Sequence, residues 1–175
     1  MDITLADQYY LKAENAFPWK MDTAIENLSY ALSYEDTHVQ SLCLLGKLYM
    51  FYLKDYELAS SAFNRALQAD LNYRETYKYF TVLKIWSGDL RGAEQLARYA
   101  FTVKGMDVPV VLAMKALIFE AKGEYKAAKA MLKQARQLSL NCATRDWIKS
   151  QHSRVKDKYV RVKSQSKKRK KKAKA

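Results

Sequence analysis

The side chains that most often perform catalysis or bind metals are few and scattered in this sequence. His38 and His152 are its two histidines, and neither has a cysteine or carboxylate neighbour at the spacing of a zinc site. Cys43 and Cys142 are far apart, and two cysteines in an intracellular chain are usually reduced, so we assign them no redox role. These residues predict neither a metal centre nor a thiol site.

Motifs for phosphate binding or nucleophilic catalysis are also missing from the sequence. Its five glycines are solitary, so no glycine-rich phosphate loop is formed, and no Gly-x-Ser-x-Gly elbow occurs. The acids that recur at regular intervals suit helix capping, because a carboxylate accepts hydrogen bonds from free N–H groups at a helix start. These acids are Asp55, Asp70, Asp89 and Glu124. We therefore predict a protein that is not an enzyme and that needs no cofactor.

Positive charge is concentrated at the C-terminus. Of the 31 Lys and Arg and 18 Asp and Glu, residues 1–142 hold 17 and 16, whereas residues 143–175 hold 14 and 2. Within it, the Lys/Arg run of residues 167–175 attracts phosphate regardless of base sequence, and no aromatic residue interrupts that run to stack on bases. The candidate polyanion-binding residues are Lys167, Lys168, Arg169, Lys170, Lys171, Lys172 and Lys174. The open alternatives are a solubilising tail, a nuclear import signal in a eukaryotic host, and attraction to an anionic membrane surface.

The sequence predicts helical hairpins over most of the chain. The clearest one spans residues 74–107. Its first half is apolar on more than one side, which predicts a helix that packs against two neighbours. Gly88 can end this helix in the left-handed conformation, and Asp89 can cap the next. In the second half, small residues at Ala93, Ala97 and Ala100 allow close helix packing. Such a hairpin cannot bury its apolar faces alone, so we expect copies.

Copies occur at a nearly constant interval along the chain. Ala24, Ala59, Ala93 and Ala128 occupy equivalent places in four predicted second helices, 34 or 35 residues apart. A period of this length indicates a repeat array, in which each hairpin buries its faces against the next.

The period and its residues resemble those of the tetratricopeptide repeat (TPR) family. The resemblance is strongest in the second copy, where Leu42, Leu45, Gly46 and Tyr49 match the first-helix signature. One extra residue lies near residues 52–54, and Thr81 and Ala116 replace the glycine in the later copies. The first copy lacks the signature and is interpreted as a divergent N-terminal repeat.

The resemblance implies an all-α fold, a right-handed α-solenoid of antiparallel helix hairpins. We expect a repeat domain over residues 6–142, with repeats near 6–39, 40–73, 74–107 and 108–142. Residues 143–163 are predicted to form a basic capping helix, because Ile148, Val155 and Val162 recur on one edge. Residues 164–175 are predicted to be a disordered Lys/Arg-rich tail, because they lack an apolar period and repel one another.

The family also implies a concave groove that is lined by the first helices and binds a protein or peptide. The matching positions form a mainly apolar lining, and Val82 stands where carboxylate-clamping relatives have asparagine, which disfavours chaperone-tail binding. An alternative interpretation is that several of these residues simply pack between hairpins or under the C-terminal helix. The expected lining residues are Cys43, Lys47, Met50, Phe51, Lys78, Val82, Ile85, Trp86, Ala113, Leu117 and Ala121.

These features together predict an intracellular adaptor. We expect the groove to bind a protein or peptide and the tail to tether the assembly to a polyanion such as RNA or a ribonucleoprotein, with DNA as a further possible partner of the tail. The N-terminus shows neither a secretory signal nor a spanning helix, so we expect a cytoplasmic location, or a nuclear one in a eukaryote. The second hypothesis is a chaperone-like holder of a protein client, similar to small TPR secretion chaperones, whose tail only keeps it soluble.

Overall fold

Consecutive antiparallel helices joined by short turns build this chain. The computed structural model describes the backbone of residues 3–172 and the side chains of residues 3–165. Within that part, the elements are α1 (Leu5–Ala16), α2 (Met21–Tyr34), α3 (Val39–Leu48), a π-helical segment (Tyr49–Leu53), α4 (Tyr56–Ala69), α5 (Arg74–Trp86), α6 (Leu90–Ala100), α7 (Val108–Ala121), α8 (Tyr125–Leu138) and α9 (Cys142–Lys172). The predicted first and second helices of the four copies correspond in chain order to α1 and α2, α3 and α4, α5 and α6, and α7 and α8.

The chain divides into two compact units, Met1–Leu83 and Lys84–Ala175. The first unit holds α1 to α4 and most of α5, and the second holds the end of α5 and α6 to α9. The predicted repeat domain over residues 6–142 thus extends across both units.

Local sequence signals account for most helix ends. Thr4 and Asp7 form a capping box at the start of α1. Asp55 accepts a hydrogen bond from the backbone N–H of Leu58 at 2.9 Å, and Asp89 accepts one from Gly92 at 2.8 Å. Gly88 has a φ of 80°, the left-handed conformation expected where α5 ends. Glu124, in contrast, makes no capping bond with its side chain.

The alanines that set the repeat period are buried in the second helices. Ala24, Ala59, Ala93 and Ala128 lie in α2, α4, α6 and α8, and each is 0% exposed. A side chain this small lets two helix backbones approach closely. The four alanines that the repeat spacing aligns are thus all buried residues of the second helices.

The extra residue near the end of α3 is accommodated by the π-helical segment. Asp55 donates its backbone N–H to the carbonyl oxygen of Tyr49 across 3.1 Å, and Lys54 adopts a left-handed φ of 57°. A π turn holds one residue more than an α turn, so it absorbs an insertion without breaking the helix. The α3/α4 hairpin thus keeps its packing despite the longer first helix.

α9 continues beyond the point where the sequence predicts disorder. Its backbone is helical through Lys172, so residues 164–172 extend the capping helix. Lys, Arg and Gln are good helix formers, and adding residues to an existing helix avoids the cost of a new nucleus. The remaining residues of the predicted tail, 173–175, lie outside the described part of the chain, as do the side chains of all seven candidate polyanion-binding residues.

Candidate functional site

An ion pair surrounded by aromatic rings joins α3 and α5 in the first unit. Lys47 in α3 and Glu75 in α5 are joined by a 3.2 Å bond between Nζ and Oε1. The same Nζ lies 4.8 Å from the ring centroid of Tyr79 and 5.7 Å from that of Phe17. We call this group, with Phe51 and Tyr73 added, the Lys47–Glu75 cluster.

The rings of the cluster are held by contacts with one another and with the carboxylate. Tyr73 donates its hydroxyl to Glu75 Oε2 at 3.2 Å, so both carboxylate oxygens are engaged. Phe51 meets Tyr79 edge to face with centroids 6.0 Å apart. Aromatic pairs in this geometry contribute beyond the area they bury, which gives the cluster a fixed shape.

Burial and charge set the protonation states of the cluster. Burial lowers the pKa of the Lys47 ammonium, but attraction to Glu75 and the ring of Tyr79 outweighs it, and the net pKa is above the ordinary value. Burial raises the pKa of the Tyr73 and Tyr79 phenols. At neutral pH the cluster therefore holds a charged lysine and two neutral hydroxyl groups.

The cluster is suited to binding rather than to nucleophilic chemistry. The Lys47 side chain is only 17% exposed, whereas Glu75 is 41% exposed, so the accessible charge is the carboxylate. Burial also raises the pKa of the nearby Cys43 thiol to about 12, which leaves it protonated and unreactive. Half-buried rings beside a half-exposed acceptor provide apolar contact area and a hydrogen-bond acceptor for a ligand.

The structure brings together only part of the groove lining that the sequence predicts in the first unit. Lys47, Phe51, Lys78 and Val82 are half-buried, and Lys78 Nζ lies 5.2 Å from the Tyr79 ring. Cys43 and Met50, by contrast, are 1% and 0% exposed. A side chain buried to this degree cannot contact a ligand without rearrangement.

The lining positions of the second unit are equally mixed. Trp86 is 47% exposed, Ala121 is exposed, and Ile85 and Leu117 are half-buried. Ala113 is 0% exposed because α9 covers it: Ile148 and Val155 of α9 are buried in one core with α7 and α8 residues. Ala113 therefore packs in the core that α7, α8 and α9 share, and it does not line an open surface.

Four members of the cluster were missed by sequence reasoning, namely Phe17, Tyr73, Glu75 and Tyr79. Phe17 ends α1 in the divergent first repeat, where no family signature marks it. Glu75 and Tyr79 are four residues apart in α5, so both lie on one face together with Lys78. That spacing, read beside the predicted Lys78 and Val82, is the signal that identifies them.

A buried carboxylate attaches α9 to α7. The Glu120 side chain is 6% exposed and accepts hydrogen bonds from both guanidinium nitrogens of Arg154, with 2.7 Å between Oε2 and Nη2. Lys158 Nζ lies 2.7 Å from Oε1. Bidentate pairing with arginine adds geometric specificity, so this contact fixes how α9 is rotated on the second unit.

Glu120→Gln is expected to lower the free energy of unfolding of the second unit by about 1–2 kcal/mol. The amide keeps one acceptor oxygen but loses the charge that Arg154 and Lys158 share, and both cations are partly exposed, so water limits the loss. Urea denaturation measures this difference. Glu94→Gln, which breaks the more exposed pair with Lys122, is the matched control. Equal effects of the two substitutions would contradict the special role of Glu120.

A cavity of about 300 Å³ lies between α6 and α7 in the second unit. Its floor is apolar and its rim carries charges of both signs, which favours no particular ligand class. The lining residues are Glu94, Ala97, Arg98, Lys115, Ile118 and Phe119.

His38 serves the helical framework. His38 is 4% exposed and its Nε2 lies 3.2 Å from Asp7 Oδ1, a contact between α1 and α3 that sequence spacing could not reveal. No group of three potential metal ligands occurs among the described residues. In the same part of the chain, no helix is long and apolar enough to cross a membrane.

Comparison with solved structures identifies the fold. TTC0263, a thermophilic TPR protein of Thermus thermophilus, superposes with a TM-score of 0.71 and 14% identity, over 86% of this chain and 80% of that one. MamA, from residue 41 to its end, of Desulfovibrio magneticus RS-1 gives 0.63 and 12%, over 95% and 98%. Neither a family model nor a curated protein sequence matches the chain. The chain therefore has the all-α fold of a TPR solenoid, as the sequence predicts.

Proposed function

We propose that this protein is a non-enzymatic adaptor that binds a protein or peptide through the Lys47–Glu75 cluster, while its basic C-terminal segment holds the complex on a polyanion such as RNA. The proposal rests on the half-buried aromatic rings that surround the Lys47–Glu75 ion pair in the first unit. The TPR fold adds support, because the helical repeats of such solenoids form extended binding surfaces.

The exposed chemistry of the cluster defines the kind of ligand segment that it suits. The half-exposed Glu75 accepts hydrogen bonds from a backbone N–H or a basic side chain, and the rings of Phe51 and Tyr79 offer apolar contact. Aromatic side chains carry much of the binding energy at protein interfaces. A peptide that places an apolar side chain beside a donor group matches this surface.

The double substitution Lys47→Ala and Tyr79→Ala is expected to weaken binding of the protein client at least about tenfold, because one aromatic hot spot contributes roughly 2 kcal/mol. The client is first captured from native lysate with the full-length chain, in parallel with and without nuclease. Its affinity for each variant is then measured by titration. Lys20→Ala with Tyr34→Ala, two exposed positions in the same unit, is the matched control.

The outcomes separate the two parts of the proposal. If the client is still captured after nuclease treatment, and only the cluster variant fails to capture it, the result supports peptide binding. Replacing the seven basic residues of 167–174 by Gln in the full chain tests the tether, because generic RNA must then dissociate at lower salt. Unchanged RNA affinity together with a retained client would favour the chaperone-like holder, in which the tail only solubilises.

A further inference from the structure

A row of basic and aromatic side chains runs along one flank of α9 and faces α8. His152, Lys156, Tyr159 and Lys163 follow one another at intervals of four, three and four, which places them on one face of the helix. Lys129 and Arg136 lie opposite on α8, seven residues and therefore two turns apart. We call these six residues the α8–α9 basic stripe.

Measured contacts bring the stripe together across the two helices. Lys129 Nζ lies 5.3 Å from the ring centroid of Tyr159, and Lys163 Nζ lies 6.0 Å from the same centroid. Burial, and then the positive charges of Lys129, Arg136 and Lys156, lower the pKa of His152. The half-buried imidazole is therefore neutral at physiological pH and keeps a ring N–H as a donor.

The two flanks of α9 differ in how their charge is balanced. On one flank, Arg154 and Lys158 are neutralised by Glu120. On the other, no ion pair joins Lys129, Arg136 or Lys156 to any acidic side chain of the described residues. Because like charges repel at short range, gathering these cations without a carboxylate costs free energy in the unliganded protein.

The acidic residues of α9 lie elsewhere on the helix. Asp146 and Asp157 are both exposed, and helical periodicity places them roughly opposite the buried Ile148 and Val155. They therefore face solvent and leave Lys129, Arg136 and Lys156 without a carboxylate partner among the described residues. An anionic ligand at the stripe would supply the missing negative charge.

The dimensions of the stripe fit a linear polyanion. From His152 to Lys163 the helix rises by roughly 16 Å, at 1.5 Å per residue. A strand within a duplex places one phosphate about every 3.4 Å along the axis, so at most about five phosphates of one strand span this length. The stripe follows the crease between two helices, with Tyr159 and His152 half-buried in it, whereas a flat lipid surface contacts the outermost atoms of a helix pair.

We propose that the α8–α9 basic stripe binds the sugar–phosphate backbone of a nucleic acid strand, with the cations of both helices on the phosphates and the His152 ring N–H as an additional donor. This deepens the polyanion tether proposed above and rests on it for the class of ligand. Under this proposal, the principal contact with the nucleic acid lies in the folded second unit and not in the tail. Since α9 is helical without a break to Lys172, a strand in the stripe continues directly toward the basic C-terminal residues.

The test compares full-length variants that remove equal charge from different places. The stripe variant carries Lys129→Gln, Arg136→Gln and Lys156→Gln. The control variant carries Arg91→Gln, Lys104→Gln and Arg161→Gln, three exposed cations outside the stripe. Binding of a 20-nucleotide oligouridylate and of its DNA counterpart is titrated over a salt series, and thermal midpoints establish that all variants are folded.

The stripe variant is expected to reduce the slope of log affinity against log salt by about 2, because three phosphate contacts contribute roughly 0.7 each for single strands. At moderate salt, its affinity should fall at least tenfold, and the control variant should change much less. Equal losses in both variants would overturn the proposal, because net charge alone would then account for binding. Stronger dependence of the RNA or the DNA oligomer on the stripe would identify the strand that it prefers and support the proposal.

Two further comparisons distinguish the stripe from the tail as the binding site, and a nucleic acid from a membrane as the ligand. If Gln replacements in residues 167–174 abolish RNA binding and the stripe variant does not weaken it, the tether stands and the stripe proposal falls. If the stripe variant weakens binding and the tail variant does not, the stripe stands and the tail tether falls. Loss of binding to vesicles rich in phosphatidylserine, with oligouridylate binding unchanged, would overturn the stripe as a nucleic acid site.

Discussion

Phe63→Ala is expected to lower the free energy of unfolding of the first unit by about 3–5 kcal/mol, the usual cost of deleting a buried aromatic side chain. Phe63 is 0% exposed in α4, and its ring lies 5.5 Å from that of Phe80 in α5. The ring also fills the space over Gly46 in α3, where a Cβ would come within 2.6 Å of Phe63 Cε1. Phe63 thus packs against two neighbouring helices, α3 and α5, and its loss leaves a cavity among the three. Urea denaturation measures the change.

A double-mutant cycle with Gly46 tests this geometry. Gly46→Ala alone is expected to destabilise the folded state, because overpacking costs about 1–3 kcal/mol and exceeds the helix-propensity gain of roughly 1 kcal/mol at its upper end. In the Phe63→Ala background the clashing ring is absent, so the same substitution should be neutral or stabilising. Additive effects would show that Gly46 and Phe63 do not share this contact.

Ala93→Glu is expected to lower the free energy of unfolding of the second unit by at least about 3 kcal/mol. Ala93 is 0% exposed in α6, so a glutamate there must place both extra volume and an unpaired charge inside a close helix contact. For a protein of this size the melting temperature should fall by roughly 6–12 °C. Differential scanning calorimetry measures the shift.

Gln95→Glu introduces the same charge at an exposed position of α6 and is the matched control. Its effect should stay within about 0.5 kcal/mol, as for most surface substitutions. If Ala93→Glu left the melting temperature unchanged, the repeat frame that places Ala93 in the helix contact would be wrong.

The repeat architecture was predictable because its cause is local and periodic. Ala24, Ala59, Ala93 and Ala128 are small for the same steric reason in every copy, so their spacing reports the packing directly. Turn signals such as Gly88 and Asp89 act within a few residues, and the structure confirms both. The family resemblance rests on the same residues, and the fold follows from them.

The candidate site was harder to predict because its members come from different repeats. Lys47 and Glu75 are 28 residues apart, and no local rule specifies that they meet. The family pattern also placed Met50 in the groove, whereas the π-helical segment that contains Met50 holds an extra residue and alters which side chains are buried. Cys43 is buried near the first turn of α5, where Thr76 and Glu75 lie. These placements depend on helix packing, which a repeat alignment does not contain.

The charge of the C-terminal region was evident from the sequence, but its arrangement was not. Counting Lys and Arg indicated a polyanion partner and directed attention to residues 167–174. Only the packing of α9 on α7 and α8 shows that Glu120 neutralises Arg154 and Lys158, while Lys156 remains without an acidic partner among the described residues. The composition treats all of these cations alike, whereas the structure shows that their surroundings differ.

Site-specific photo-cross-linking shows whether the Lys47–Glu75 cluster contacts a protein client. A photoreactive phenylalanine analogue replaces Tyr79 in the full-length chain, and the same analogue at the exposed Tyr34 is the control. After irradiation in nuclease-treated native lysate, we predict a discrete cross-linked protein at position 79 that is absent at position 34 and is suppressed by Lys47→Ala. Equal cross-linking at both positions, or none at position 79 while the client is still captured, would contradict the account.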